Sequence, residues 1–106
     1  MSNKSRKQQI EEMLADDPND PFLRYGLAME YVSAGDDEGA ARCLHELLAA
    51  DAAYVPAYLQ LGQVLIRLGR TDEARTTYRR GIEVAQRQGD GHAAEEMQRF
   101  LLEAGG

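Results

Sequence analysis

The sequence predicts an all-α fold of about six helices, stacked as antiparallel hairpins. Three observations lead to this prediction. Apolar residues recur at helical spacing, as in Leu27, Ala28 and Tyr31, and no segment shows the strict alternation of a half-buried strand. An offset of 34 residues also superimposes one part of the chain on the next. Because 106 residues suffice for one continuous core, we predict a single domain over residues 1–106.

The 34-residue repeat is visible at six positions, where small and large residues largely recur in the same places. These positions are Leu27, Tyr31, Gly35, Ala40, Leu44 and Leu47 in the first copy, and Leu61, Leu65, Gly69, Ala74, Tyr78 and Gly81 in the second. Each copy therefore indicates a helix, a glycine stop and a second helix.

The first predicted element is an unpaired helix at about residues 5–15, within a segment that spans 1–20. Asp17 and Pro18 end its pattern. Its apolar residues have helical spacing: Ile10, Met13 and Leu14. The helix matches the second half of a hairpin whose first helix is absent from the sequence.

Hairpin one spans residues 21–53, with predicted helices at about 21–34 and 37–50. Gly35 lies between them and suits the left-handed conformation that ends many helices. Asp36 then offers a carboxylate that can cap the second helix.

Hairpin two spans residues 54–88, with predicted helices at about 55–68 and 71–87. Gly69 is its predicted stop, and Thr71 its predicted cap.

A closing helix at about 91–104, within residues 89–106, is the last predicted element. Here the offset is 36, because Ala94, Met97 and Leu101 correspond to three positions of hairpin two. A two-residue insertion near Gly89 accounts for the change.

Hairpin two carries a specific motif, aromatic-x2-Leu-Gly-x2-Leu followed by Ala-x3-aromatic. Its residues are Tyr58, Leu61, Gly62, Leu65, Ala74 and Tyr78. This motif resembles that of the tetratricopeptide repeat. The resemblance covers two full repeats, a partial N-terminal unit and a closing C-terminal helix. It implies a right-handed superhelical stack, in which the first helix of each hairpin lines a concave groove.

Hairpin one departs from the family motif at three positions, where Arg24, Ala28 and Leu44 replace an aromatic residue, Gly and a second aromatic residue. Tyr31 and Ala40 keep the pattern. The resemblance is therefore specific for the fold and much less so for a ligand.

A partner-binding groove is implied by the second apolar face on the first helix of hairpin one. In the family the equivalent faces line the groove, which would be apolar at its N-terminal end and charged at its C-terminal end. The predicted groove residues are Phe22, Tyr25, Met29, Val32, Leu59, Gln63, Ile66, His92, Glu95 and Arg99. The alternative is that residues 5–15 fold across this face and cover it.

Some chaperone-binding members of the family hold a C-terminal carboxylate with Lys and Asn on the inner helices. The corresponding residues here are Tyr25, Met29 and Gln60. We therefore do not expect this function.

The function that the resemblance implies is a non-enzymatic adaptor or scaffold, which binds a peptide or an amphipathic helix of a protein partner. The alternative is a self-assembling module that forms homodimers or stacked arrays, because open solenoid ends leave apolar faces uncovered. An RNA-binding helical repeat is a more remote third. The net charge of −6 disfavours nucleic acid as a partner.

Catalysis, cofactors and metal sites have little support in the sequence. His45 and His92 lie far apart and have no matching nucleophile. Cys43 is the only cysteine, which is typical of a reducing compartment, and we expect a cytoplasmic protein. No apolar run approaches the roughly 18 residues of a membrane span, so no membrane partner is expected.

Overall fold

A computed structural model describes residues 3–106, and this range contains six α-helices and no strand. The helices are α1 (Arg6–Asp16), α2 (Pro21–Ser33), α3 (Asp37–Ala50), α4 (Val55–Arg67), α5 (Thr71–Arg87) and α6 (Gly91–Glu103). The predicted all-α fold is confirmed, and every helix begins and ends within one residue of its predicted position.

The helices pack against one another in chain order, as a stack of antiparallel hairpins. The two predicted hairpins are α2 with α3 and α4 with α5, while α1 packs on α2 and α6 packs on α5. We call α2, α4 and α6 the A-type helices, because they take the first position of a hairpin. The B-type helices, in the second position, are α1, α3 and α5.

Each A-type helix ends at a glycine in the left-handed conformation, with φ of 76° at Gly35, 77° at Gly69 and 88° at Gly105. After the first of these, the Asp36 N–H donates to the Tyr31 carbonyl at 2.9 Å, which satisfies one of the carbonyls left open at the helix end. The predicted stops at Gly35 and Gly69 are confirmed.

The predicted caps hold in hairpin one but not in hairpin two. Asp36 Oδ1 accepts a hydrogen bond from the Gly39 N–H at 2.9 Å. The prediction for Thr71 is wrong, because Thr71 is the first residue of α5 and the cap position belongs to Arg70, 34 residues after Asp36. Arg70 makes no capping hydrogen bond and instead pairs with Glu38 at 2.8 Å, which links the two hairpins.

The two-residue insertion is accommodated as additional helix. α5 has 17 residues and α3 has 14, while the turn after α5 is one residue shorter than the turn after α3. α5 stops only at the left-handed Gly89, where φ is 73°.

One continuous core runs along the stack from Ala28 to Leu101. Its largest fully buried side chain is Tyr78. A Cβ atom at Gly62 would overlap the Tyr78 ring, and one at Gly81 would overlap Tyr58 and Met97. These two glycines therefore allow A-type and B-type helices to approach closely, in agreement with the family motif.

The stack is elongated, with extents of 49 × 29 × 20 Å and a radius of gyration of 14.3 Å. A compact domain of this length would have a radius of gyration of about 13 Å. One side of each A-type helix lies at the surface of this stack.

Candidate partner-binding surfaces

One stripe of each A-type helix is partly or fully exposed. Residues three or four apart lie on one helix face, and the repeat offsets relate the three stripes to one another. Together they form the A-helix stripe: Phe22, Tyr25, Met29 and Val32 of α2; Pro56, Leu59, Gln63 and Ile66 of α4; and His92, Glu95, Arg99 and Leu102 of α6.

The A-helix stripe carries most of the exposed large apolar side chains. The described residues include four of them, and three lie on this stripe, one on each A-type helix: Phe22 at 73% exposure, Ile66 at 39% and Leu102 at 64%. Exposed apolar side chains that recur along one surface are typical of interaction sites. Leu102 is absent from the predicted groove, although the 36-residue offset from Ile66 points to it. Its presence makes the C-terminal end of the stripe apolar as well as charged.

Three of the predicted groove residues also stabilise the fold. The Tyr25 ring lies 5.6 Å from that of Tyr54, the residue that precedes α4. Burial, and secondarily the neighbouring Tyr54, raises the pKa of the Tyr25 phenol above its ordinary value. Val32 and Leu59 are partly buried against the core. Substituting any of these three would therefore disturb packing as well as the surface.

The charged part of the stripe lies on α6, where His92, Glu95 and Arg99 are exposed. The Arg99 guanidinium lies 5.4 Å from the centroid of the Phe100 ring, a cation–π distance. None of the three lines the cavity between α1 and α2 or the cavity between the C-terminal ends of α4 and α6.

The first cavity, of about 310 Å³, lies between α1 and α2, and we call it the N-terminal slot. It is lined by Arg6, Gln9, Ile10 and Met13 of α1 and by Phe22, Leu23, Tyr25, Gly26, Met29 and Glu30 of α2.

The N-terminal slot exists because α1 lies beside the A-helix stripe. Ile10 is the only buried residue of α1, and its Cδ1 faces Gly26, where a Cβ would be 3.5 Å away. Further along, Arg6 Nε lies 3.3 Å from Glu30 Oε2. α1 thus runs antiparallel to α2 as one wall of the slot, and Phe22 on the opposite wall stays largely exposed.

The second cavity, of about 420 Å³, lies between the C-terminal ends of α4 and α6, and we call it the C-terminal cleft. The Tyr78 and Phe100 rings stack there, 6.1 Å between centroids and 17° between planes. Burial raises the pKa of the Tyr78 phenol above its ordinary value. The lining residues are Gln63, Ile66, Arg67, Tyr78, Phe100, Glu103 and Ala104.

The ten predicted groove residues do not line one continuous cavity. The structure places Phe22, Tyr25 and Met29 in the N-terminal slot, and Gln63 and Ile66 in the C-terminal cleft. The other five lie on the A-helix stripe outside both cavities.

The predicted groove residues include none from α1. The sequence nevertheless contains a signal that α1 contributes to a site. Subtracting 34 from Leu44 and Leu47, both core residues of α3, gives Ile10 and Met13. This register identifies α1 as a B-type helix, and hence as a helix that needs an A-type helix on each side.

Outside these surfaces, His45 and Cys43 are capable of acid–base or nucleophilic chemistry, and both are held in structural contacts. His45 Nε2 lies 3.3 Å from Glu73 Oε2 at the surface between α3 and α5. Burial first, and Glu46 second, raises the pKa of the Cys43 thiol, which disfavours the reactive thiolate. Within residues 3–106, no group of three or more potential ligands is arranged to hold a metal ion. Nor does this range contain a helix long and apolar enough to cross a membrane.

Comparison with known proteins gives consistent matches. A family model of the tetratricopeptide repeat matches residues 2–85. The TPR repeat-containing protein PA0015 of Pseudomonas aeruginosa is 35% identical over 92 residues, which cover 87% of this chain and 88% of that protein. A tetratricopeptide repeat domain protein from Salinibacter ruber, solved by NMR, is 41% identical with a TM-score of 0.78, covering 82% of this chain and 88% of its own. Protein BPP2914 from Bordetella parapertussis is 28% identical with a TM-score of 0.83, covering 96% and 89% respectively.

Proposed function

The chain belongs to the tetratricopeptide-repeat family, whose members generally act as protein–protein interaction modules, and from this premise we propose that it binds a segment of a protein partner along the A-helix stripe. The partner segment is a peptide or an amphipathic helix. The role of the chain is that of a non-catalytic adaptor or scaffold.

The observation that carries the proposal is the recurrence of an exposed apolar side chain on each A-type helix. Phe22, Ile66 and Leu102 leave a large fraction of their surface in water, and a partner that covers them gains about 25 cal/mol for each Å² of apolar area buried. These side chains are the apolar anchors of the surface.

Charge along the stripe determines the orientation in which a partner helix binds. Glu95 and Arg99 are exposed on α6, whereas the α2 part of the stripe is apolar. An A-type helix of 13 residues is about 20 Å long. Three of them side by side offer room for two or three turns of a partner helix, whose polar residues meet α6.

Capture from native lysate of the source organism tests the proposal with three forms of the protein. The first is the unaltered chain. The second is Ile66→Glu/Leu102→Glu, which places two charges on the stripe at positions that are already exposed. The third is the control Ala49→Glu/Gln86→Glu, which adds the same charges at exposed positions of B-type helices. All three should show the same helical circular dichroism and the same thermal unfolding.

We expect the unaltered chain and the control to retain a common partner that the stripe variant loses. Retention of the same proteins by all three forms would contradict the proposal. Sedimentation of the purified forms tests the self-assembly alternative, which requires a dimer that the stripe variant disrupts.

A further inference from the structure

We propose that the N-terminal slot is a second binding site, which receives an amphipathic α-helix of a partner protein as an additional A-type helix of the stack. The site lies between α1 and α2 and shares Phe22, Tyr25 and Met29 with the A-helix stripe, whose remaining residues lie outside the slot. Within residues 3–106, no helix fills this slot.

The interior of the stack shows how the equivalent position is filled. The repeat register places α1 and α2 in the same relation as α3 and α4. In that second pair, Leu47 of α3 and Val64 of α4 are fully buried. Their equivalents at the slot, Met13 and Glu30, are respectively 48% exposed and half-buried. α3 lies between α2 and α4, whereas α1 packs only on α2. The helix position that α2 occupies against α3 is therefore unfilled at α1 within residues 3–106.

The chain also shows which kind of helix fits such a position. α4 packs on α5 through a face that carries Tyr58, Leu61, Gly62 and Leu65. The glycine is required because Tyr78 of α5 fills the space where its Cβ would lie. At the slot, the residue in register with Tyr78 is Ile10, so a docking helix needs a small residue opposite Ile10. The docking helix also needs a large residue four positions before the small residue, as Tyr58 is before Gly62. It needs another large residue three positions after the small one, as Leu65 is after Gly62.

A second copy of the folded chain has no such face to offer. In α2 and α4 the motif residues Ala28 and Leu61 are buried, at 0% and 2% exposure. In α6 the small position is occupied by Gln98, and the neighbouring Met97 and Leu101 are buried. None of the A-type helices of a second copy offers this face, and we assign the slot to a helix of a partner protein.

Charge at the two ends of the slot fixes the direction of the docked helix. An A-type helix runs antiparallel to the B-type helix that follows it, so its N-terminus lies beside the turn between α1 and α2. Asp16 and Asp17 are exposed at that turn, where a carboxylate is favourable beside the positive end of a helix dipole. The Asp20 carboxylate there accepts hydrogen bonds from the Phe22 and Leu23 N–H groups at the start of α2. Arg6 lies at the opposite end of the slot, near the negative end of the dipole, where it also pairs with Glu30.

The probe is a fluorescently labelled peptide with the sequence of residues 54–68 and the substitution Val64→Lys, which introduces a charge while keeping the motif residues Tyr58, Leu61, Gly62 and Leu65. Binding to the full chain is followed by fluorescence anisotropy. Met13→Glu alters only the slot, at a half-exposed residue of α1. Ile66→Glu/Leu102→Glu is the matched control for the A-helix stripe, and a peptide that also carries Gly62→Leu is the control for the small position.

We expect the peptide to bind the unaltered chain and the stripe variant with equal affinity. Its affinity for Met13→Glu should fall by at least about tenfold, and the Gly62→Leu peptide should be weakened to a similar degree. Met13→Glu must keep the thermal unfolding curve of the unaltered chain; if it does not, Gln9→Glu, at an exposed slot residue, replaces it.

Four results would overturn the slot as a partner site: no binding to the unaltered chain, equal binding to Met13→Glu, equal binding of the Gly62→Leu peptide, or a homodimer in sedimentation that Met13→Glu abolishes. Loss of peptide binding only in the stripe variant would reject the slot and support the A-helix stripe. The two proposals therefore fail separately.

Discussion

Gly26 and Gly62 are both interior residues of A-type helices, yet their surroundings are opposite. A Cβ at Gly62 would overlap the Tyr78 ring, whereas a Cβ at Gly26 would meet only Ile10 Cδ1, at an ordinary contact distance of 3.5 Å. Gly62 is thus required for close packing, whereas Gly26 leaves the wall of the N-terminal slot open.

Substitution by alanine should separate these two roles. Gly62→Ala should lower the free energy of unfolding by about 1–3 kcal/mol, because Tyr78 must move. Gly26→Ala should raise it by about 0.5–1 kcal/mol, because alanine is the better helix former and has space. Urea denaturation of both variants measures the difference. Equal stability of Gly62→Ala and the unaltered chain would show that the two helices are not closely packed there.

At the scale of the helices, the hydrogen bond between Asp36 and the Gly39 N–H stabilises the start of α3. Asp36→Ala should cost about 1 kcal/mol, the usual contribution of such a cap. Asp16→Ala removes the same charge at the C-terminal end of α1, where a carboxylate opposes the helix dipole, and should be neutral or slightly stabilising. Thermal unfolding of the two variants tests this contrast, and an equal cost would count against a capping role.

Features that depend on one residue and its neighbours in sequence can be predicted from the sequence, whereas features that depend on tertiary packing cannot. Helix ends are predictable because Gly35 and Gly69 impose a stop through their own backbone preference. The prediction of a cap at Thr71 is wrong because it followed the residue type. The 34-residue offset from Asp36 assigns the cap position to Arg70 instead. The N-terminal slot is not among the predicted sites. The register identifies α1 as a B-type helix, but tertiary packing determines how α1 lies against Gly26.

For the molecule as a whole, buried and partly buried tyrosine side chains predict a loss of stability at alkaline pH. Burial raises the pKa of Tyr25, Tyr54, Tyr58 and Tyr78 above the ordinary value of 10.0. Between that pH and the higher pKa of the folded state, the native chain holds more protons than the unfolded chain. The free energy of unfolding therefore falls as pH rises through this range, and the contribution is fully present below it.

We accordingly expect the urea midpoint to be insensitive to these phenols below about pH 9 and to fall above about pH 10. Tyr78→Phe removes one buried ionisable group and should reduce the steepness of that fall. A midpoint that stays constant above pH 10 would contradict the raised pKa values.

The packing of the helices in chain order has a mechanical consequence. Hardly any contact joins the beginning of the stack to its end, so a pulling force applied at the two termini loads the hairpins in series. α1, anchored by the single buried side chain of Ile10, should detach at the lowest force. The remaining helices should then unfold one after another, each giving a separate step on a force–extension curve.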